Sequence, residues 1–204
     1  IGELISKGRD AEVADAYRMF EMDCDVARTV GAEKLVLHLW GGLASDSNFQ
    51  SNVNAYRHVN EIARKYGLDL LVENVVCNVE NPMKHLCELW KKYPEIHFVF
   101  DTKMAAFHEQ TDLLYEAEYD WLWKEGHILH YHVNDYGGGY MDWANLRTLP
   151  IGKGHVDFEK FFSFVKKTGY QGDFTVEATA FDARGDVDTE MLNEQFQKIR
   201  ELMG

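Results

Sequence analysis

Residues 127–133 read HILHYHV, and this stretch decides the fold. In an extended chain, side chains alternate between faces. Ile128, His130 and His132 therefore share one side, and Leu129, Tyr131 and Val133 the other. Apolar residues on both sides suit a strand covered on both faces. Upstream, Leu114, Ala117 and Trp121 keep helical spacing, and Gly126 closes that segment with a left-handed stop.

The same unit recurs in both directions. Toward the N-terminus, Met83, Leu86 and Trp90 mark a helix that stops near Pro94, before a strand over 97–101. Before it, Val53, Tyr56, Val59, Ala63 and Tyr66 lead through Gly67 to a strand over 68–73. Earlier still, Val13, Tyr17, Phe20, Cys24 and Ala27 lead through Gly31 to a strand over 34–39. Toward the C-terminus, Phe158, Phe161, Phe162 and Val165 lead through Gly169 to a strand over 173–177, and Leu192, Phe196, Ile199 and Leu202 form a last helix. Helix and strand in alternation predict a parallel sheet with helical crossovers. No GxGxxG or Walker loop follows any strand, which favours a (β/α) TIM barrel over an open doubly wound sheet.

Composition narrows the function. The 204 residues, 46% hydrophobic and 27% charged, predict one α/β domain over 1–204. A net charge of -13 disfavours nucleic acid as a partner. Cys24, Cys77 and Cys87 are odd in number and lack CxxC spacing, so the expectation is no disulfide framework and a reducing cytoplasmic location. No apolar run reaches the ~20 residues of a membrane helix, and the first residues lack the apolar core of a signal peptide. A barrel of this kind takes about 250 residues. About six of eight strand-helix units are visible, so the expectation is a barrel that is N-terminally incomplete, with Ile1–Ile5 as a strand remnant. An open edge would expose strand backbone and apolar helix faces, predicting aggregation or a homo-oligomer.

The polar residues carry the chemistry. His38, Glu73, Asp101, His132 and Glu177 each fall at or near the C-terminal end of a predicted strand. In a (β/α) barrel that end is the active-site face. Each has a simpler role open to it. Asp101 can cap the turn that begins at Thr102, and His130 can be a satisfied core histidine. Together the five point to one shared mouth, with Trp40 placed to wall a sugar site. A Glu, Asp, His, Glu set is mostly hard oxygen. It suits Mn²⁺, Mg²⁺ or Co²⁺, with Zn²⁺ admissible, better than a thiolate-rich site would. An ion of that kind chelates a carbonyl and its neighbouring hydroxyl, and stabilises the enediolate formed when the proton between them leaves.

Six segments together resemble the xylose-isomerase-like barrel superfamily, which includes ketose 3-epimerases, inosose-processing enzymes and the endonuclease IV type. They are LVLHLWGG at 35–42, VEN at 72–74, FVFDT at 98–102, ILHYHVND at 128–135, LPIGKGHVDF at 149–158 and GYQGDFTVEA at 169–178. The resemblance implies that Glu73, Asp101, His132 and Glu177 bind the metal. It also implies that Glu73 and Glu177 are the acid/base pair on opposite faces of the substrate. His38, Trp40, His130 and Lys153 are the expected substrate contacts. Lys103 and Lys153 have the capacity to meet a phosphate, and solvated surface is the leading expectation for both. The lack of a phosphate-cradling Gly loop favours an unphosphorylated substrate.

The chain departs from the family pattern at Met104, where a histidine is common, and across Asp135–Tyr140, where the epimerases carry an arginine. The first two barrel strands have no counterpart. The expected activity is a sugar or polyol isomerase or epimerase. An inosose-type dehydratase, an endonuclease IV-like nuclease, disfavoured by charge and by Met104, and a non-catalytic barrel that binds a small ligand are the alternatives.

Overall fold

Among the described residues, four helices begin where a side chain supplies a missing acceptor. In the computed structural model, which describes residues 1–42, 44–178, 181–182 and 184–204, Asn81 accepts from the Lys84 amide at 2.9 Å and opens helix α4, Pro82–Lys92. Asp157 does the same for α7, Phe158–Thr168, and Asp188 for α8, Thr189–Met203. A cap of this kind satisfies one of the amides that the first turn leaves without a partner. At the other end, Gly169 stops α7 with φ 76°, a conformation glycine adopts without strain.

The remaining helices are α1 (Gly2–Lys7), α2 (Asp10–Thr29), α3 (Phe49–Lys65), α5 (Thr102–Phe107) and α6 (Trp121–Lys124). The strands are β1 (Lys34–Leu37), β2 (Asp69–Glu73), β3 (His97–Asp101), β4 (Ile128–His132) and β5 (Phe174–Thr175), in sheet order β1-β2-β3-β4-β5. The recorded pairs are parallel. Lys34 stands beside Asp69, Glu73 beside Val99, and His132 beside Thr175. This is the sheet of a TIM barrel.

Contacts divide the chain into two compact units. The first, Ile1–Val99 with His127–Leu129, has a core that includes Phe20, Val59, Leu71, Val72 and Phe98. Here β1 ends the strand order. Beside it an apolar groove of about 530 Å³ is lined by Phe20, Val26, Leu35 and Leu37, and Met22 and Val26 of α2, with Val30 just past its end, are exposed. The second unit, Phe100–Gly126 with His130–Gly204, is built around Phe107, Tyr131, Tyr136, Phe161 and Phe162. Tyr131 stacks on Phe174 and meets Phe161 edge-on, which fixes β4 against β5 and α7.

Three sequence expectations are corrected. Residues 1–5 are not a strand remnant: α1 is a helix, with Glu3 and Lys7 paired at 3.2 Å one turn apart and Gly8 ending it at φ 67°. The helix read through Leu114, Ala117 and Trp121 is instead two 3₁₀ turns and the short α6, because Glu116 takes an extended conformation that interrupts it. Leu114 and Trp121 are still buried, so the periodicity reported the core face but not the helix. Strand-helix units number nearer five than six, with five strands among the described residues.

Candidate active site

In the second unit the site grows from the end of β3. Asp101 is fully buried and divides its oxygens between two tasks. Oδ1 accepts from the Met104 amide at 2.8 Å and caps α5, and Oδ2 accepts from the Asn134 side-chain amide at 2.9 Å. Asn134, just past β4, also donates to Glu177 Oε2 at 3.0 Å and accepts from the Glu177 amide at 2.8 Å. Its own backbone is held by Thr102, whose hydroxyl accepts from the Asn134 amide at 3.0 Å and donates to the Asn134 carbonyl at 2.7 Å. One asparagine thereby sets the spacing of two carboxylates.

His132 completes this half. Its Nδ1 lies 3.4 Å from Glu177 Oε1 and 3.9 Å from Asp101 Oδ2. Asp101, His132 and Glu177 each offer a ligand atom within 4.8 Å of the other two. These separations exceed an ordinary hydrogen bond of ~2.9 Å. They fit donors arranged around a cation: oxygens at ~2.0–2.6 Å from an ion, at right angles to one another, lie about 3–3.7 Å apart. Asp101 and His132 are buried, while the Glu177 side chain is 37% exposed and opens the group to solvent.

In the first unit Glu73, the last residue of β2, is buried, and His38 Nε2 lies 2.6 Å from its Oε2. The His38 side chain is 58% exposed, so it is both a partner of Glu73 and open to a ligand. His130 is half-buried, with Nε2 2.8 Å from Thr175 Oγ1 and its ring edge-on to His132.

One expected substrate contact, Trp40, packs in the core. Trp40 is fully buried; its indole N–H donates to the Val75 carbonyl at 2.9 Å, and its ring packs edge-on against Phe49 and His85. It is a core residue, as is Leu39 before it. Lys153 is exposed on a turn, and its side chain makes no hydrogen bond among the described residues. Asn134 and Thr102 are the site residues that sequence reasoning passed over.

The first unit also holds Asp46, Cys77 and His85, all buried, with candidate ligand atoms within 4.8 Å of one another. Their chemistry differs from that of a metal centre. Both Asp46 oxygens are already taken, by the amides of Asn78, Val79 and Glu80 at 2.8–3.3 Å and by His85 Nε2 at 3.0 Å. Burial alone would raise the Asp46 pKa, but these donors outweigh it and hold it at about 2. Burial pushes the His85 pKa down and the Cys77 thiol up, so both are neutral. The trio is a clamp on the loop after β2.

The family model described as "Xylose isomerase-like TIM barrel" matches residues 4–201. The chain belongs to this family. Among solved structures, it is similar to an L-ribulose 3-epimerase, with 18% identity and a TM-score of 0.62 over 96% of this chain and 63% of that one. A D-allulose 3-epimerase from Methylomonas sp., in complex with D-allulose, is 20% identical with a TM-score of 0.62, over 93% of this chain and 63% of that one. A D-psicose 3-epimerase from Clostridium cellulolyticum H10, with D-tagatose, is 14% identical with a TM-score of 0.66, over 100% and 74%. The chain thus spans less than two thirds of the first two, and at these identities what is shared is the fold. No curated protein matches it by sequence. Among the described residues no helix is long and apolar enough to cross a membrane.

Proposed function

We propose that this chain carries the active site of a divalent-metal-dependent sugar or polyol isomerase or epimerase, with Glu73, Asp101, His132 and Glu177 as the metal ligands. The observation that carries it is the approach of Asp101, His132 and Glu177 to within 4.8 Å at strand ends. Glu73, buried at the end of β2, is added to them on the family resemblance, which gives the carboxylate at that strand end the same role. Three carboxylates and one imidazole fit Mn²⁺, Mg²⁺ or Co²⁺, with Zn²⁺ also able to accept the set. Such an ion supplies the positive charge that lowers the cost of negative charge developing on the substrate oxygens.

The residues then divide the work. One of Glu73 and Glu177 removes the proton from the carbon next to the carbonyl, and the electron pair moves onto the carbonyl oxygen to give an enediolate. The other returns a proton, from the opposite side in an epimerase. Asn134 keeps Glu177 and Asp101 at fixed spacing while charge moves. His38, bonded to Glu73, orients that carboxylate, and its exposed ring can meet a substrate hydroxyl.

The test is proton exchange between substrate carbon and D₂O, followed by NMR with Mn²⁺ and a panel of ketoses and inososes. The wild type exchanges one C–H and forms the isomer. Glu73→Gln and Glu177→Gln each lose full turnover, with exchange surviving in one of them, because abstraction needs a single base. Absence of exchange with every ketose and inosose would defeat the proposal, as would near-normal turnover in both variants.

A further inference from the structure

Lys103 is 8% exposed, not the solvated surface residue its sequence context predicts. It sits in the first turn of α5, two residues after Asp101. Its ammonium donates to Thr148 Oγ1 at 2.9 Å, and among the described residues no carboxylate lies within 4.0 Å of it. An ammonium carries three donors, and a single neutral hydroxyl satisfies one of them. Buried charges in folded proteins are paired, because removing an ion from water without a partner is costly. Lys103 therefore holds a positive charge whose counterion is not part of its immediate surroundings.

The surroundings tie this charge to the site. Thr148 precedes Leu149, which exchanges backbone hydrogen bonds of 2.9 and 3.1 Å with Asp135. Asp135 follows Asn134, the residue that holds Asp101 and Glu177. The loop carrying Thr148 is fixed rather than slack. The buried Asp135 carboxylate accepts from the amides of Gly152, Gly154 and Val156 at 2.8, 2.8 and 3.0 Å, and Gly154 packs so closely on the Tyr136 carbonyl that an added Cβ would lie 2.2 Å from it. Thr148 accepts its bond from Lys103, so its own hydroxyl proton remains to be donated. An ammonium and a hydroxyl side by side, both with donors to spare, make a receptor for an anionic oxygen group.

We propose that Lys103 and Thr148 bind an anionic group, carboxylate or phosphate, at the end of the substrate remote from the reacting carbon, so that the substrate class is an acidic sugar rather than a neutral ketose. This rests on the isomerase reading for the reacting end, but the anion site is measurable without turnover.

The experiment is calorimetric binding, with Mn²⁺ present, of three probes that differ only at C6: D-fructose, D-fructuronate and D-fructose 6-phosphate. One or both acidic probes bind about ten- to a hundredfold tighter than D-fructose, the worth of a hydrogen bond to a charged group. Which acid gains identifies carboxylate or phosphate. Lys103→Met removes the preference and leaves D-fructose binding unchanged. Thr148→Val, which keeps the charge, removes part of it and guards against misfolding in the lysine variant. Equal binding of all three probes by the wild type, or a preference that survives Lys103→Met, overturns the proposal. An anion preference without C–H exchange would sink the isomerase reading alone, and exchange without an anion preference would sink only the anion site.

Discussion

Asp46 and Asp101 are both buried carboxylates with a histidine close by, and they have opposite characters. Asp46 is saturated by backbone amides and His85, and those donors hold its pKa at about 2 against the effect of burial. Nothing further can approach it without breaking a bond. Asp101 gives one oxygen to the α5 cap and the other to Asn134, and it shares its surroundings with a second carboxylate and an imidazole. Acids brought together in this way repel unless a cation joins them. Residue types alone do not separate the two. Asp46 is held by three consecutive amides of one loop, whereas Asp101 stands beside Glu177 and His132, which is why we read the first as a clamp and propose the second as the metal site.

The sharpest way to break the contrast is to neutralise each carboxylate in turn. Glu177→Gln is expected to lower turnover by about 10²–10⁴-fold, the usual contribution of a general acid or base, with thermal unfolding unchanged. Asp46→Ala is expected to do the reverse. It strands three backbone amides and should cost about 3–5 kcal/mol of stability in denaturant unfolding, with the surviving folded fraction still active.

The pH dependence carries the same signature. The Asp46 pKa lies at about 2 in the folded chain against ~3.9 in an unfolded one, so its contribution is complete above that unfolded value and is lost as pH falls from about 4 toward 2. Asp46→Asn should flatten acid unfolding in that window, and an unchanged acid transition would contradict the assignment.

Smaller effects sharpen the picture. Asn134→Leu removes the bridge between Asp101 and Glu177 and should weaken Mn²⁺ binding about 10–100-fold, as loss of a ligand's supporting hydrogen bonds does. Trp40→Phe should cost about 2–3 kcal/mol, the indole hydrogen bond to Val75 plus the space left in a fully buried site, and leave sugar KM unchanged. A large KM effect would return Trp40 to the substrate site.

These contrasts also show what was legible in the chain. Strand β3 spans His97–Asp101 as read, because a strand's extent follows from local periodicity. Helix α5 was hidden, since TKMAAF is too short to show a period and begins directly at Asp101, which is a strand end and a helix cap at once. Asn134 left no signal: an amide in a loop acquires its role only when the fold places one carboxylate on each side of it. Lys103 and Lys153 are indistinguishable by residue type, and only the turn of the chain buries one and exposes the other. The saturation of Asp46 depends on amides more than thirty residues away.

The most direct test is metal stoichiometry by titration calorimetry with Mn²⁺ on the wild type, on Asp101→Asn, on His132→Ala and on Cys77→Ala. Asn retains the oxygen that caps α5, so Asp101→Asn spares the helix. The expected result is one ion per chain in the wild type and in Cys77→Ala, and none in Asp101→Asn or His132→Ala. An ion retained in both site variants and lost in Cys77→Ala would place the metal at the Asp46 clamp and contradict the distinction between the two clusters.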